Sequence, residues 1–154
     1  TGTQPVSASA TISPGHVHTF EGRKPFEAAR ALDVAEIPRI LDDYARAARN
    51  ALAAGFDGVQ VHAANGYLLD QFLRDGSNHR TDAYGGGPEN RVRLLREAVE
   101  RVASVAGADR TAVRLSPNGE SQGVDDSDPA AVFVPAARAL HEIGVAFLEL
   151  REPG

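Results

Sequence analysis

The chain has 154 residues, is 42% hydrophobic and 24% charged, and carries a net charge of -5, an ordinary globular composition long enough to bury one core. The negative balance argues against a nucleic-acid partner. No apolar run approaches the roughly 20 residues of a membrane-spanning helix, and the amino terminus lacks a basic-then-apolar secretory signal. With no cysteine, disulfides, thiolate-ligated zinc and a thiol nucleophile are excluded, and a reducing, cytoplasmic setting is compatible.

The chain also lacks methionine and begins at Thr1. That favours a segment of a longer polypeptide over a small complete domain processed at its first residue. Residues 1–30 show no sustained period. Pro5, Pro14, Gly15, Gly22 and Pro25 punctuate them, and Val17 to Phe20 reads as a short strand, so this part is an irregular or hairpin excursion. Residues 31–154 read as alternating helix and strand units within the same domain, which spans 1–154.

The first helix opens with Asp33 and Glu36 spaced as a capping box, with Pro38 in the first turn. Ile37, Ile40, Leu41, Tyr44, Ala48 and Leu52 recur at spacings of three and four, and Gly55 ends the helix as a residue able to take positive φ. Phe56 to Val61 is short and apolar and reads as a strand. Residues 63–88 then read as a long polar loop. Glu89 to Val102 is a second helix with Val92, Leu95, Val99 and Val102 on one face. Thr111 to Leu115 is a second strand. Ala130 to Ile143 is a third helix in which Pro135 is awkward, because its ring meets the carbonyl four residues back. Either that helix starts late or it kinks. Val145 to Leu150 is a third strand. Alternation of this kind implies a parallel sheet with helical crossovers.

The candidate chemistry sits where the first strand ends. His62, Asn65 and Tyr67 place an imidazole, a carboxamide and a phenol within six residues. Alternate strand residues share a face, so Gly58, Gln60 and His62 point one way and Val59 and Val61 the other. His62 and Asn65 offer hydrogen-bond donors that can converge on one oxygen and stabilise negative charge growing there. Tyr67 is protonated at neutral pH and available as a general acid. The residues alone equally allow His62 to be a structural strand-end histidine. They favour Tyr67 as a half-buried core aromatic on the run Tyr67-Leu68-Leu69-x-x-Phe72-Leu73.

Arg114 lies inside an otherwise apolar strand, where a charge is costly unless paired or bound to a ligand. It is either salt-bridged to a strand neighbour such as Glu149 or set against an electron-rich cofactor or substrate. The stretch Arg80-Thr81-Asp82-x-Tyr84-Gly85-Gly86 lacks a phosphate-loop pattern and reads as a loop held by its own polar contacts. No spacing among His16, His18, His62 and His79 matches a metal-ligand motif, so no metal is expected. Asp125, Asp126 and Asp128 read as a solvated loop and helix cap.

These residues together resemble the old yellow enzyme family, the FMN-dependent ene-reductases. The matching positions are His62, Asn65, Gly66-Tyr67-Leu68, Gln71-Phe72-Leu73, Asn78-His79-Arg80-Thr81-Asp82, Tyr84-Gly85-Gly86 and Glu89-Asn90-Arg91. Arg114-Leu115-Ser116-Pro117 and Phe147-Leu148-Glu149-Leu150 resemble the family's next two strands, and Gly87-Pro88 departs from its usual loop. The resemblance implies an α/β fold, a partial (β/α)8 barrel containing strands four to six of a whole that takes about 250 residues. It implies that His62 and Asn65 bind the carbonyl or nitro oxygen of an activated alkene such as an enone, maleimide or nitro compound. It implies Tyr67 as proton donor and Arg114 against the flavin. It also implies FMN as cofactor, with NAD(P)H as transient reductant passing hydride through FMN to the alkene β-carbon. The family's flavin phosphate site, after strands seven and eight, is not among these residues, so the segment alone is expected to bind FMN poorly and to need the remainder of the barrel. Two other classes stay open. One is a catalytically silent part-barrel acting as an assembly module. The other is a hydrolase, which needs paired strand-end carboxylates, of which only Glu149 qualifies.

Overall fold

The computed structural model describes residues 3–119 and 121–152. The amino-terminal excursion contains four short strands. β1 (Val6–Ser7) pairs in parallel with β4 (Arg30–Ala31), and β2 (His16–Thr19) forms an antiparallel hairpin with β3 (Gly22–Pro25). Asp33 and Glu36 make the reciprocal capping box, closing a 3-10 turn at Val34–Glu36 that leads into α1 (Ile37–Ala53). Gly55 follows with φ of 92°, the left-handed conformation that stops the helix.

The central sheet is parallel and ordered β5-β6-β7, with β5 at Val59–Ala63, β6 at Thr111–Leu115 and β7 at Leu148–Leu150. Two strand boundaries differ from the sequence reading. The first strand does not begin at Phe56, whose side chain is 65% exposed. It begins at Val59 and runs to Ala63, because register with Thr111 to Leu115 sets its ends. Gly58 is a close approach rather than a ladder residue: a Cβ there would lie 2.7 Å from the Arg110 carbonyl oxygen. The third strand is also shorter than expected, although the Ala146 N–H still donates to the Thr111 carbonyl at 2.9 Å.

A further correction concerns residues 63–88, which are not loop throughout. They hold α2 (Leu68–Leu73), pinned by fully buried Leu69, Phe72 and Leu73. α3 (Pro88–Ala106) lies between α1 and α4 (Pro129–Ile143). It buries Val92, Leu95, Val99 and Val102 with Leu94 and Ala98. α4 begins with Asp128 accepting from the Ala131 N–H at 3.2 Å and continues through Pro135 to a left-handed Gly144. It therefore does not start late, and of the two expected alternatives only a kink remains compatible with Pro135 inside the helix, where its missing N–H leaves the Ala131 carbonyl without its usual helical donor.

These helices cover one face of the sheet. Val61 and Ala63 of β5, and Val113 and Leu115 of β6, join the hydrophobic core beneath them. The opposite face is bare: Gln60 and His62 are exposed and Arg114 and Glu149 only half-buried. One-sided cover of a parallel sheet is the arrangement of a barrel sector, with helices outside and a polar interior face at the strand ends. Among the described residues no helix is long and apolar enough to cross a membrane.

Candidate active site

His62 stands near the carboxyl end of β5 on the bare face. The chain then reverses through two left-handed residues, Asn65 at φ 58° and Gly66 at φ 76°. Asparagine tolerates this conformation better than most residues. Gly66 has no alternative, since a Cβ there would come within 2.5 Å of the Ser121 carbonyl oxygen. The reversal returns Tyr67 to His62, with ring centroids 5.4 Å apart and planes tilted by 56°. Tyr67 is 55% exposed, so it is not the core aromatic that its apolar neighbours suggested.

Asn65 is anchored by its backbone, whose N–H donates to Ser116 Oγ at 2.9 Å. Its side-chain Oδ1 is buried and has no hydrogen-bond partner among the described residues. That oxygen can only accept a hydrogen bond, so donation to a ligand falls to the side-chain Nδ2. Tyr67 borders a cavity of about 530 Å³, which also takes Ile12, His16 and His18 from the excursion and Gln71 and Gln122 from the loops.

Arg114 sits directly opposite His62 on β6 and opposite Glu149 on β7. Its Nε lies 3.4 Å from Glu149 Oε1. That is ion-pair distance without hydrogen-bond alignment, and the buried Nε has no hydrogen-bond partner. Glu149 is instead held by Gln60, whose Nε2 donates to Oε2 at 2.8 Å. The sheet therefore brings His62, Arg114 and Glu149 into one row, with Asn65 and Tyr67 on the loop above β5. Among the described residues no three His, Asp or Glu side chains gather as a metal site.

The sequence reading missed a buried polar node behind this loop. Asp70 and Arg74 form an ion pair at 2.8 Å with side chains essentially inaccessible to solvent. Asp70 Oδ2 accepts from the Gly66 N–H at 2.9 Å and from Ser116 Oγ at 3.2 Å. Arg74 donates to the Ser116 carbonyl and lies 5.1 Å over the Phe133 ring of α4. The signal was present as two opposite charges one helical turn apart beside apolar residues.

The polar stretch after α2 is structural. Asn78 donates to the carbonyls of Phe72 and Tyr84. Arg80 donates to the carbonyls of Ala8 and Leu32 at 3.0 and 2.6 Å, tying the excursion to the sheet domain. The Arg80 guanidinium also holds the Asp82 carboxyl below its usual range. The acidic cluster is not uniformly solvated, because Asp126 is fully buried against Arg91. Burial pushes the Asp75 carboxyl up, but hydrogen bonds from Ser127 and the charge of Arg91 outweigh it and leave the group below normal.

Residues 3–152 match the family model described as NADH:flavin oxidoreductase / NADH oxidase. A putative 12-oxophytodienoate reductase 10 of Oryza sativa subsp. japonica is 48% identical over 128 residues, 83% of this chain and 40% of that protein. The 12-oxophytodienoate reductase 2 of Arabidopsis thaliana is 43% identical over 83% of this chain and 34% of its own length. Among solved structures, an old yellow enzyme homologue from Zymomonas mobilis superposes with a TM-score of 0.96 at 61% identity, over 98% of this chain and 42% of that one. Morphinone reductase in complex with tetrahydroNAD gives 0.92 at 44% identity, over 97% and 43%. The chain thus spans less than half the length of these relatives, and its fold is part of their (β/α)8 barrel. The chain belongs to the NADH:flavin oxidoreductase / NADH oxidase family, within its old yellow enzyme branch.

Proposed function

We propose that this chain carries the substrate-binding and proton-donating part of an FMN-dependent oxidoreductase that reduces activated alkenes with NAD(P)H. The observation that carries the reading is the His62–Tyr67 pairing at 5.4 Å on the open side of the strand end, with the Asn65 carboxamide on the short loop between them. His62 and Asn65 donate to the carbonyl or nitro oxygen of the substrate, drawing charge from the double bond. Tyr67 gives its proton to the substrate α-carbon as charge builds there. Its exposure beside the cavity leaves it able to recover a proton from water.

One residue, Arg114, fits a bound flavin. The Arg114 Nε is buried, cationic and without a hydrogen-bond partner, and it projects from the row that holds His62. A cation there suits the electron-rich edge of an isoalloxazine ring. Bound FMN supplies hydride transfer from a nicotinamide donor to carbon, for which the chain's own side chains have no substitute. The binding of tetrahydroNAD to morphinone reductase and the reductase names of the plant relatives support this assignment. The outer edges of β5 and β7 have no strand partner among the described residues. In this reading the rest of a barrel pairs with them, and the complete protein works in the cytoplasm.

The same open edges favour the second reading, a catalytically silent part-barrel that serves assembly. Purification of the complete polypeptide carrying this chain separates the two. The enzyme reading expects stoichiometric flavin absorbance and NAD(P)H-dependent reduction of 2-cyclohexenone or N-ethylmaleimide. A colourless protein that only associates with other barrel segments supports the silent one.

A further inference from the structure

We propose that the Asp70–Arg74–Ser116 node is the positioning device for the loop carrying Asn65 and Tyr67. The proposal rests on the site assignment above. Asp70 lies on α2, downstream of the loop, yet its carboxylate reaches back to the Gly66 N–H at 2.9 Å. Ser116 lies beyond the end of β6, and its hydroxyl accepts from the Asn65 N–H at 2.9 Å while donating to Asp70 at 3.2 Å. Two consecutive amides, both in left-handed backbone, are thus gripped by one buried acceptor pair. The Gly66 grip is local, from Asp70 in the first turn of α2, whereas the Asn65 grip comes from Ser116, 51 residues away along the chain.

Arg74 makes this grip rigid. It pairs with the other carboxylate oxygen of Asp70 at 2.8 Å and donates to the Ser116 carbonyl. Its guanidinium is packed on Phe133 at 5.1 Å. The node therefore fixes α2, the end of β6 and α4 relative to the loop at one point. Asp70 and Ser116 are wholly buried and Arg74 is 2% exposed, so water offers these groups no alternative partner. Charge-assisted hydrogen bonds in such a setting hold geometry tightly. They touch no substrate in this arrangement and act through Asn65 and Tyr67, which makes all three positioning residues.

The test uses the complete FMN-loaded protein, its Ser116→Ala and Asp70→Asn variants, and para-chlorophenol as a probe of the oxygen site. Ser116→Ala deletes one hydroxyl and leaves the ion pair in place, so it keeps the fold measurable. Both variants are expected to retain FMN and the rate of its reduction by NAD(P)H. Phenol affinity and the rate of alkene reduction fall together by about tenfold to a hundredfold, as displacement of catalytic groups predicts. Amide hydrogen exchange at Asn65 and Gly66 accelerates before the rest of the sheet. Unchanged phenol affinity and unchanged Asn65 exchange in Ser116→Ala, against a parent that binds both FMN and phenol, overturn the node. A parent that binds no FMN overturns the site assignment and the node with it.

Discussion

The rings of His62 and Tyr67 lie 5.4 Å apart although four residues intervene along the chain. Neither strand nor helix geometry would produce that contact. It arises because Asn65 and Gly66 both adopt positive φ and fold the chain back at the strand end. Tyr67→Phe keeps the ring and removes the proton. In the complete protein it is expected to slow alkene reduction by about 10² to 10⁴-fold, the usual span for a general acid, while reduction of bound FMN by NAD(P)H stays within about twofold. Stopped-flow measurement of each half-reaction checks this. Equal loss in both assigns Tyr67 a structural role.

Arg114 gives a second, independent handle. Its pairing with Glu149 is poorly aligned, which leaves its charge available to a flavin edge. Arg114→Met preserves side-chain length and removes the cation. The reduction potential of bound FMN is expected to fall by about 30 mV or more, roughly 1.4 kcal/mol for a two-electron couple. Spectroelectrochemical titration reads it. A potential unchanged in a variant that still binds FMN removes Arg114 from the cofactor site and leaves only its ion pair.

What the sequence reading reached and what it missed divide by the range of the interactions involved. The Asp33–Glu36 capping box is complete within four residues, and β6 is a five-residue apolar strand between polar flanks, so both were legible. The start of β5 was not, because Phe56 has strand-forming chemistry but stays exposed, and only pairing with β6 decides where the ladder begins. α2 is six residues long, too short to show a helical period. The His62-Asn65-Tyr67 set was visible by composition, whereas the approach of Tyr67 to His62 depends on backbone dihedrals that no periodicity reports. Asp126 read as solvent-facing because charges usually are, and Asp70 and Arg74 drew no reading at all. Their burial is set by Ser116, Phe133 and Arg91, all distant in sequence.

Gly66 makes the backbone requirement testable apart from any chemistry. An added Cβ meets the Ser121 carbonyl oxygen at 2.5 Å and Gln122 Cβ at 2.6 Å, and the residue sits at φ 76°. Gly66→Ala is therefore expected to destabilise the complete protein by about 1–3 kcal/mol through left-handed strain and crowding. Alkene reduction should fall with it. Chemical denaturation checks the stability term, and a variant as stable as the parent would show that the loop relaxes at no cost.

Arg80 links the excursion to the sheet domain. Its side chain is only 7% exposed, bonds to the carbonyls of Ala8 and Leu32, and packs 5.5 Å over Phe72. Arg80→Met leaves those carbonyls and Asp82 without their partner. A loss of about 3 kcal/mol is expected, the scale for breaking a buried charged contact. The excursion should loosen first. Limited proteolysis checks this: early cleavage should fall within residues 8–32, and cleavage confined to the sheet domain would contradict the assignment.

Acid sensitivity should trace in part to Glu36. Hydrogen bonding from Arg30, joined by the Asp33 N–H in the capping box, lowers its carboxyl from an ordinary 4.5 to about 2. A folded-state value below the unfolded one means that the unfolded chain binds the proton more readily. The stabilising contribution is therefore complete above about 4.5 and is lost progressively as pH falls toward about 2. Glu36→Gln cannot titrate. Its urea midpoint should lie below that of the parent at neutral pH and converge on it between those limits, with the effect kept small by solvent exposure of the pair. A difference that stays constant from pH 7 down to pH 2 would show that the carboxyl is not held by Arg30 in solution, and that the turn before α1 is closed by Asp33 alone.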